Sequence, residues 1–228
     1  MTIGIIGAGQ IGGALTRRFR ELGYAVSVAN SRGPATLADL ARETGARAVT
    51  LEEAAGGNDV VIVTIPERSI ADLPANLLEH VPDDVVVIDT GNYYPQQRDG
   101  EIAAIESGMT ESGWVAERLG RPVVKAFNNI MAQHLLDNGK PAGTAGRIAL
   151  PISGDDVVAK ARVTHLIDQL GFDAVDNGAL DQSWRQQPGT PVYGKDFDAA
   201  GVKLALSQAR PERAPEWRAV AHAPGSVA

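Results

Sequence analysis

The chain has 228 residues, 44% of them hydrophobic and 21% charged, the composition of a globular protein long enough to bury a real core. Its 21 Lys and Arg against 28 Asp and Glu leave a formal net charge of −7, which argues against a nucleic-acid partner, since phosphate neutralisation supplies most non-specific affinity. The sequence has no cysteine, and this excludes disulfides, thiolate metal sites and cysteine nucleophiles. No leader pattern is visible, and no stretch approaches the roughly 18 apolar residues of a membrane span. A cytoplasmic location without a membrane partner is therefore expected.

In chain order, short apolar runs alternate with segments of helical period. The runs cover residues 3–6, 25–29, 46–50, 60–65, 85–89 and 123–127. Residues 10–22 carry Ile11, Leu15, Phe19 and Leu22 on one face, and Gly23 closes that helix. Pro34 suits the first turn of a second helix, which runs to about Thr44 and ends at Gly45. Residues 130–138 read as a helix and 139–146 as a loop. A strand at 148–153, a helix at 155–170 opened by Asp155 as N-cap, a strand at 172–176 and a helix at 199–209 follow. From Pro211 on, the composition has no period and is expected to be loosely held. Runs that are apolar at nearly every position indicate strands buried on both faces. The alternation predicts an α/β fold, a Rossmann doubly wound parallel sheet with a small C-terminal α/β extension. The expected division is a main α/β domain at 1–138 and a small C-terminal lobe at 139–228.

Gly7-Ala8-Gly9-Gln10-Ile11-Gly12 matches G-x-G-x-x-G between a strand and an amphipathic helix. In that context Gly7 permits the tight turn and Gly9 lets the backbone approach a pyrophosphate. Gly12 allows close packing of helix on strand. The helix N-terminus, with Gln10 and Ile11 in its first turn, offers free N–H groups to phosphate. The second strand ends in Asn30-Ser31-Arg32, where an NAD site usually places a carboxylate. A carboxylate would repel a 2′-phosphate, whereas Arg32 pairs with one and Ser31 donates a further hydrogen bond. This favours NADP(H), although the same residues also make a good solvated turn.

Thr64-Ile65-Pro66 ends the fourth strand and Asp89-Thr90-Gly91-Asn92 the fifth, both at the carboxyl edge where ligands bind. Pro66 equally fits the first position of a following helix, and Gly91 either admits the nicotinamide ribose or makes a plain turn. Lys125 is either a buried amine near the ligand or an outward-pointing edge residue. Asn92 and Asn128 are the candidate substrate contacts. The histidines at 80, 134, 165 and 222 fall in expected helices or the tail, none at metal-ligand spacing. No general acid or base stands out, so no catalytic residue and no metal are assigned. Hydride transfer between flat rings needs stacking and orientation more than proton chemistry.

These residues resemble the coenzyme F420-dependent NADP oxidoreductase family. The likeness is carried by Ile5–Gly12, Ser31-Arg32, Val63–Pro66, Val124–Asn128, Ser153–Asp156 and Asp176–Leu180, over roughly residues 2–185. It implies that Ser31 and Arg32 meet the 2′-phosphate and that Thr64, Ile65 and Pro66 line the nicotinamide side. It further implies a homodimer in which the small lobe at 139–228 covers the NADP(H)-binding domain at 1–138, and hydride transfer to a deazaflavin. The segments at 95–119 and 184–191 depart from the family pattern, the first reading as an elaborated loop after the fifth strand. The function expected is therefore an NADP(H)-dependent oxidoreductase with a small-molecule acceptor, coenzyme F420 or a flavin. The alternatives are an NADP(H)-binding redox sensor without chemistry and a carbonyl or imine reductase.

Overall fold

The computed structural model describes residues 1–220; His222 and the end of the tail lie outside them. Six parallel strands form the main sheet: β1 (Thr2–Ile6), β2 (Ala25–Ala29), β3 (Arg47–Ala48), β4 (Val60–Val63), β5 (Val86–Asp89) and β6 (Val124–Lys125). Their order is β3-β2-β1-β4-β5-β6, the doubly wound Rossmann order with the switch point beside β1. Along β1 the register sets Ile3 against Val26 on one side and Val60 on the other.

Alternate residues of these strands feed two separate cores. Ile3, Ile5, Val60, Ile62 and Ile88 face Leu15 and Phe19 of α1 (Gln10–Glu21) and Val163, Leu166 and Ile167 of α8 (Val157–Gln169). Ile6, Val61, Val63 and Val87 face Ala54 and Ala55 of α3 (Leu51–Ala55) and Trp114 and Val115 of α6 (Glu111–Leu119). Burial on both faces explains why these strands lack polar alternation.

The remaining helices are α2 (Ala38–Thr44), α4 (Glu67–Ile70), α5 (Ala103–Glu106), α7 (Ala132–Asp137) and α9 (Ala199–Gln208). A two-stranded parallel sheet pairs β7 (Ala149–Ile152) with β8 (Asp173–Asp176). An antiparallel bridge joins it to the main sheet: Lys125 N–H donates to Ser153 O at 2.8 Å, and Ser153 N–H donates back at 3.1 Å. Leu150, Ile152 and Phe172 belong to the same core as β1 and β4. The stretch around 138/139 is thus a surface connection, with one core continuing across it. No helix among the described residues is long and apolar enough to cross a membrane.

Several sequence expectations are corrected. The segment 95–119 is no elaborated loop; it holds α5 and α6, the crossover between β5 and β6, and Thr110 caps α6 by accepting from Gly113 N–H at 3.0 Å. The first of these helices is only four residues long and Gly113 falls within the second, which masks both. Asp156, not Asp155, caps α8, accepting from Val158 and Ala159 N–H. Asp155 instead accepts from Leu180 N–H at 2.9 Å. His80 lies in a turn rather than a helix. Residues from Pro211 to Val220 are pinned by side chains far away in sequence, a form of order that periodicity cannot reveal.

Leu150→Ala should lower the stability of the whole chain by about 2–5 kcal/mol, the usual range for emptying a buried leucine site. Urea unfolding followed by far-UV dichroism and by tryptophan fluorescence should give one shared transition. Two separated transitions would contradict a core shared across residue 139.

Candidate functional site

The turn after β1 is built by mutual exclusion of side chains. Gly7 sits at φ 109°, and a Cβ there would lie 2.5 Å from Thr64 O. At Gly12 a Cβ would lie 1.9 Å from Gly7 O and 2.4 Å from Thr64 Oγ1. Thr64 closes the knot by donating its hydroxyl to Gly7 O at 2.8 Å. Gly9 differs: nothing lies within 4 Å of its Cβ direction. It is the N-cap of α1 and makes no side-chain cap, so the first N–H groups of a three-turn helix face open space.

A cleft of about 350 Å³ opens at this turn. Gly7 and Gly9 from the turn, Asn30, Ser31 and Arg32 from the end of β2, and Thr64, Ile65 and Pro66 from the end of β4 all line it. Asn30 shapes its end of the cleft, since its Oδ1 accepts from Arg32 N–H at 3.0 Å and its amide donates to Thr36 Oγ1 at 3.0 Å. The Arg32 guanidinium has no ion-pair partner among the described residues. Gln10, Ile11 and Gly12 stand behind the cleft in the first turn of α1, while Gly91, Asn92 and Asn128 lie apart from it, at the ends of β5 and β6.

Beneath that second group lies a charge cluster that was not anticipated. Asp89 and Lys125 are register partners on β5 and β6, exposed by 1% and 0%, and the Lys125 ammonium reaches Asp89 Oδ2 at 3.1 Å. The pair grips Gly91 from both sides: Lys125 Nζ donates to Gly91 O at 2.6 Å, and Gly91 N–H donates to Asp89 Oδ1 at 2.7 Å. Ser112 also donates to Asp89 at 2.6 Å. Lys125 is therefore a buried structural cation and does not point outward. Burial opposes its charge, but the acidic groups around it, Asp89 foremost, together outweigh burial and hold it above the ordinary lysine value.

Glu67 and Glu111 complete the cluster, both fully buried. Glu111 pairs with Arg213 of the tail at 2.8 Å. Neither oxygen of Glu67 has a hydrogen-bond partner among the described residues. Burial pushes its carboxyl well above the ordinary glutamate value, and the Asp89 charge adds to this more than Lys125 offsets it. Burial raises the Glu111 carboxyl above the ordinary glutamate value as well, with Lys125 and Arg213 opposing it. A Cβ on Gly91 would lie 2.7 Å from Glu67 Oε1, so close packing on this carboxyl already requires glycine there. Glu67 follows Pro66 at the start of α4, where an acid reads as an ordinary partner of a helix N-terminus. The detectable signal was an Asp and a Lys at the ends of two otherwise apolar strands.

A second network ties the end of β6 to the C-terminal part. Phe127, fully buried, has φ 62°, a strained value for a bulky residue. The turn it makes directs Asn128 inward. The Asn128 amide donates to Asn92 Oδ1 at 3.1 Å and to Gln186 O at 2.7 Å, and its oxygen accepts from Gln186 Nε2 at 2.9 Å. Asn92 donates to Asn128 O at 2.9 Å, and Ser153 donates to Gln186 Oε1 at 2.9 Å. Asn128 is 4% exposed and Asn92 is half-buried.

A parallel sheet of this order, with G-x-G-x-x-G at the end of its first strand, defines a Rossmann dinucleotide-binding protein. A family model described as NADP oxidoreductase, coenzyme F420-dependent, matches residues 2–93. Among solved structures, SMa0349 of Sinorhizobium meliloti, described as hypothetical, is 36% identical with a TM-score of 0.73, over 86% of this chain and 95% of that one. An Arthrobacter sp. FB24 protein, provisionally described as an F420-dependent NADP-reductase, is 24% identical with a TM-score of 0.67, over 81% and 87% of the two chains. At that identity the likeness is one of fold. The protein YjhV of Escherichia coli K12 is 39% identical over 77 residues, 33% of this chain and 56% of its own length. The chain belongs to the coenzyme F420-dependent NADP oxidoreductase family.

The raised Glu67 value has a testable sign. The folded state holds a proton that the unfolded chain gives up, so stability falls as pH rises from the ordinary glutamate range through the folded value. Glu67→Gln keeps the shape of the neutral acid and removes this slope. Urea denaturation of both proteins between about pH 5 and pH 8 should show the variant gaining on the parent as pH rises. A parent that gains on the variant would mean Glu67 is ionised in the fold.

Proposed function

We propose that this protein is an NADP(H)-dependent oxidoreductase that passes hydride between NADPH and a flat-ring acceptor, a deazaflavin such as coenzyme F420 or a flavin, and that it works as a homodimer. The observation that carries the reading is the cleft uniting the open Gly9, the unpaired Arg32 and the Thr64–Pro66 rim. Gly7 and Gly12 hold the turn, and Gly9, Gln10 and Ile11 present backbone N–H groups to the pyrophosphate. Ser31 and Arg32 take the 2′-phosphate, with Asn30 fixing their backbone. Thr64, Ile65 and Pro66 form the wall for the nicotinamide, and Gly91, clamped by Asp89 and Lys125, borders its ribose. Bound NADPH would supply the hydride.

The acceptor side falls at the ends of β5 and β6, covered by the part of the chain after residue 139. Asn92 keeps one N–H and one lone pair free to meet an acceptor. Asn128 is spent on Asn92 and Gln186, so in this reading it holds Asn92 in place. Stopped-flow mixing of the protein and NADPH with F420, FMN or a simple imine tests the proposal. Rapid oxidation by a flat-ring acceptor supports it. Binding without oxidation by any of them would fit a redox sensor instead.

Two substitutions test the cofactor assignment. Arg32→Ala should weaken NADPH binding by about 2–3 kcal/mol, the loss of a charge-assisted contact, and leave NADH binding nearly unchanged. Equal losses for both cofactors in fluorescence titrations would remove Arg32 from the phosphate site. Gly9→Val should fold normally, because its side chain enters open space, yet lose dinucleotide binding; retained binding would show that the turn does not cradle the pyrophosphate.

A further inference from the structure

The tail between Arg213 and Ala219 is strapped across the ends of β5 and β6. Arg213 pairs with Glu111 and reaches Gln187 Oε1 at 3.3 Å. Gln96 donates to Pro215 O at 3.2 Å and to Arg218 O at 2.9 Å, holding both ends of the short turn Pro215–Trp217. Ala219 N–H donates to Glu106 at 2.8 Å. Every anchor but Gln187 belongs to the crossover after β5.

The strap delivers one aromatic ring to a slot walled by two others. The Trp217 indole lies 6.0 Å from the Tyr94 ring, tilted 45° to it, and 6.3 Å from the Tyr193 ring, edge-on at 72°, and the two tyrosine hydroxyls meet. Gly189 forms the floor. A Cβ there would lie 2.6 Å from Trp217 Cδ1 and 2.8 Å from its Nε1, and its φ of 88° suits glycine. The Arg98 guanidinium stands 5.1 Å from the centre of the Tyr94 ring. Cavities of about 290 and 330 Å³ lie on either side of the strap. Trp184, Gln187 and Arg213 line both, so the two cavities adjoin at the strap.

Hydrogen bonds link the slot to the ends of β5 and β6, the acceptor side of the proposed reading. Tyr94 stands two residues after Asn92, whose carbonyl accepts from Arg98 at 2.6 Å. Asp99 accepts from Tyr94 N–H at 2.8 Å and from Arg68 N–H at 3.4 Å, tying the slot to the turn that begins at Pro66 of the cleft. Behind Tyr193, Gly194 N–H donates to Asn129 O at 3.1 Å, next to Asn128.

We propose that the slot between Tyr94, Tyr193 and Gly189 is a binding subsite for a planar aromatic heterocycle, and that Trp217 is an internal plug that occupies it until the heterocycle displaces the strap. The proposal rests on the hydride-transfer reading for the identity of the ring as an acceptor, while the plug itself rests on the packing alone. A slot that is open one-tenth of the time binds about tenfold more weakly than a bare one.

The test uses riboflavin, a neutral flat ring, titrated by fluorescence against the full chain in saturating NADP⁺. Trp217→Ala, and separately Gln96→Ala, which releases the strap at Pro215 and Arg218, should bind riboflavin about tenfold more tightly than the parent, while Trp217→Phe, which keeps a ring, stays near the parent. Circular dichroism confirms folding, and the Gln96 variant guards against a local effect of the Trp217 substitution. Unchanged or weaker binding in both, or no riboflavin binding by any form, overturns the plug. NADPH titration of the same proteins reads the cofactor assignment separately: its failure with the riboflavin gain intact would sink that assignment and leave the plug standing.

Discussion

Everything at the carboxyl edge of this sheet depends on one buried ion pair, Asp89 with Lys125. The two residues end adjacent parallel strands, are almost wholly removed from solvent, and between them hold both backbone polar groups of Gly91. Burying two charges costs several kcal/mol each before attraction and hydrogen bonds offset it, so such a pair sits poorly in a merely structural account of two short strands. What it secures is position. Gly91 and Asn92 leave β5 in one fixed geometry, and Asn92 in turn meets Asn128 across the end of β6. Removing either partner would leave an uncompensated charge in a cluster that already holds Glu67 without hydrogen bonds.

The same edge explains why the C-terminal part belongs to the site. The antiparallel bridge between Lys125 and Ser153 places β7 alongside β6, and Gln186 reaches back from that part to Asn128 and Ser153. The strained backbone at Phe127 is what turns Asn128 toward Gln186, a local cost offset by three hydrogen bonds. The cleft at the β1 turn and the cavities beside the tail are linked through α4: Pro66 lines the cleft, and Arg68 N–H is bonded to Asp99, which also holds Tyr94.

How much of this could be read from residues alone depended on distance along the chain. The Rossmann sheet was legible because its strands are short apolar runs punctuated by Gly23, Gly45 and the G-x-G-x-x-G turn, all local signals. The residues of the cleft were legible for the same reason, being ends of strands whose order the pattern implies. The carboxylate cluster was not, since Glu67, Asp89 and Glu111 are far apart in sequence and each has an ordinary local reading as a helix-start or turn acid. Trp217 was hidden likewise, in a stretch rich in Pro, Ala and Arg whose order comes from Gln96, Glu106 and Glu111. The helix α5 was obscured by its four-residue length and α6 by Gly113 within its period.

The central claim is that the β1 turn, the end of β2 and the end of β4 together hold NADP(H). The most direct measurement is a crystal structure of the protein grown with NADPH. The account predicts pyrophosphate over Gly9 at the start of α1, the 2′-phosphate within hydrogen-bond reach of Ser31 and Arg32, and nicotinamide against Thr64–Pro66. A dinucleotide bound elsewhere, or a 2′-phosphate turned to solvent away from Arg32, would contradict it.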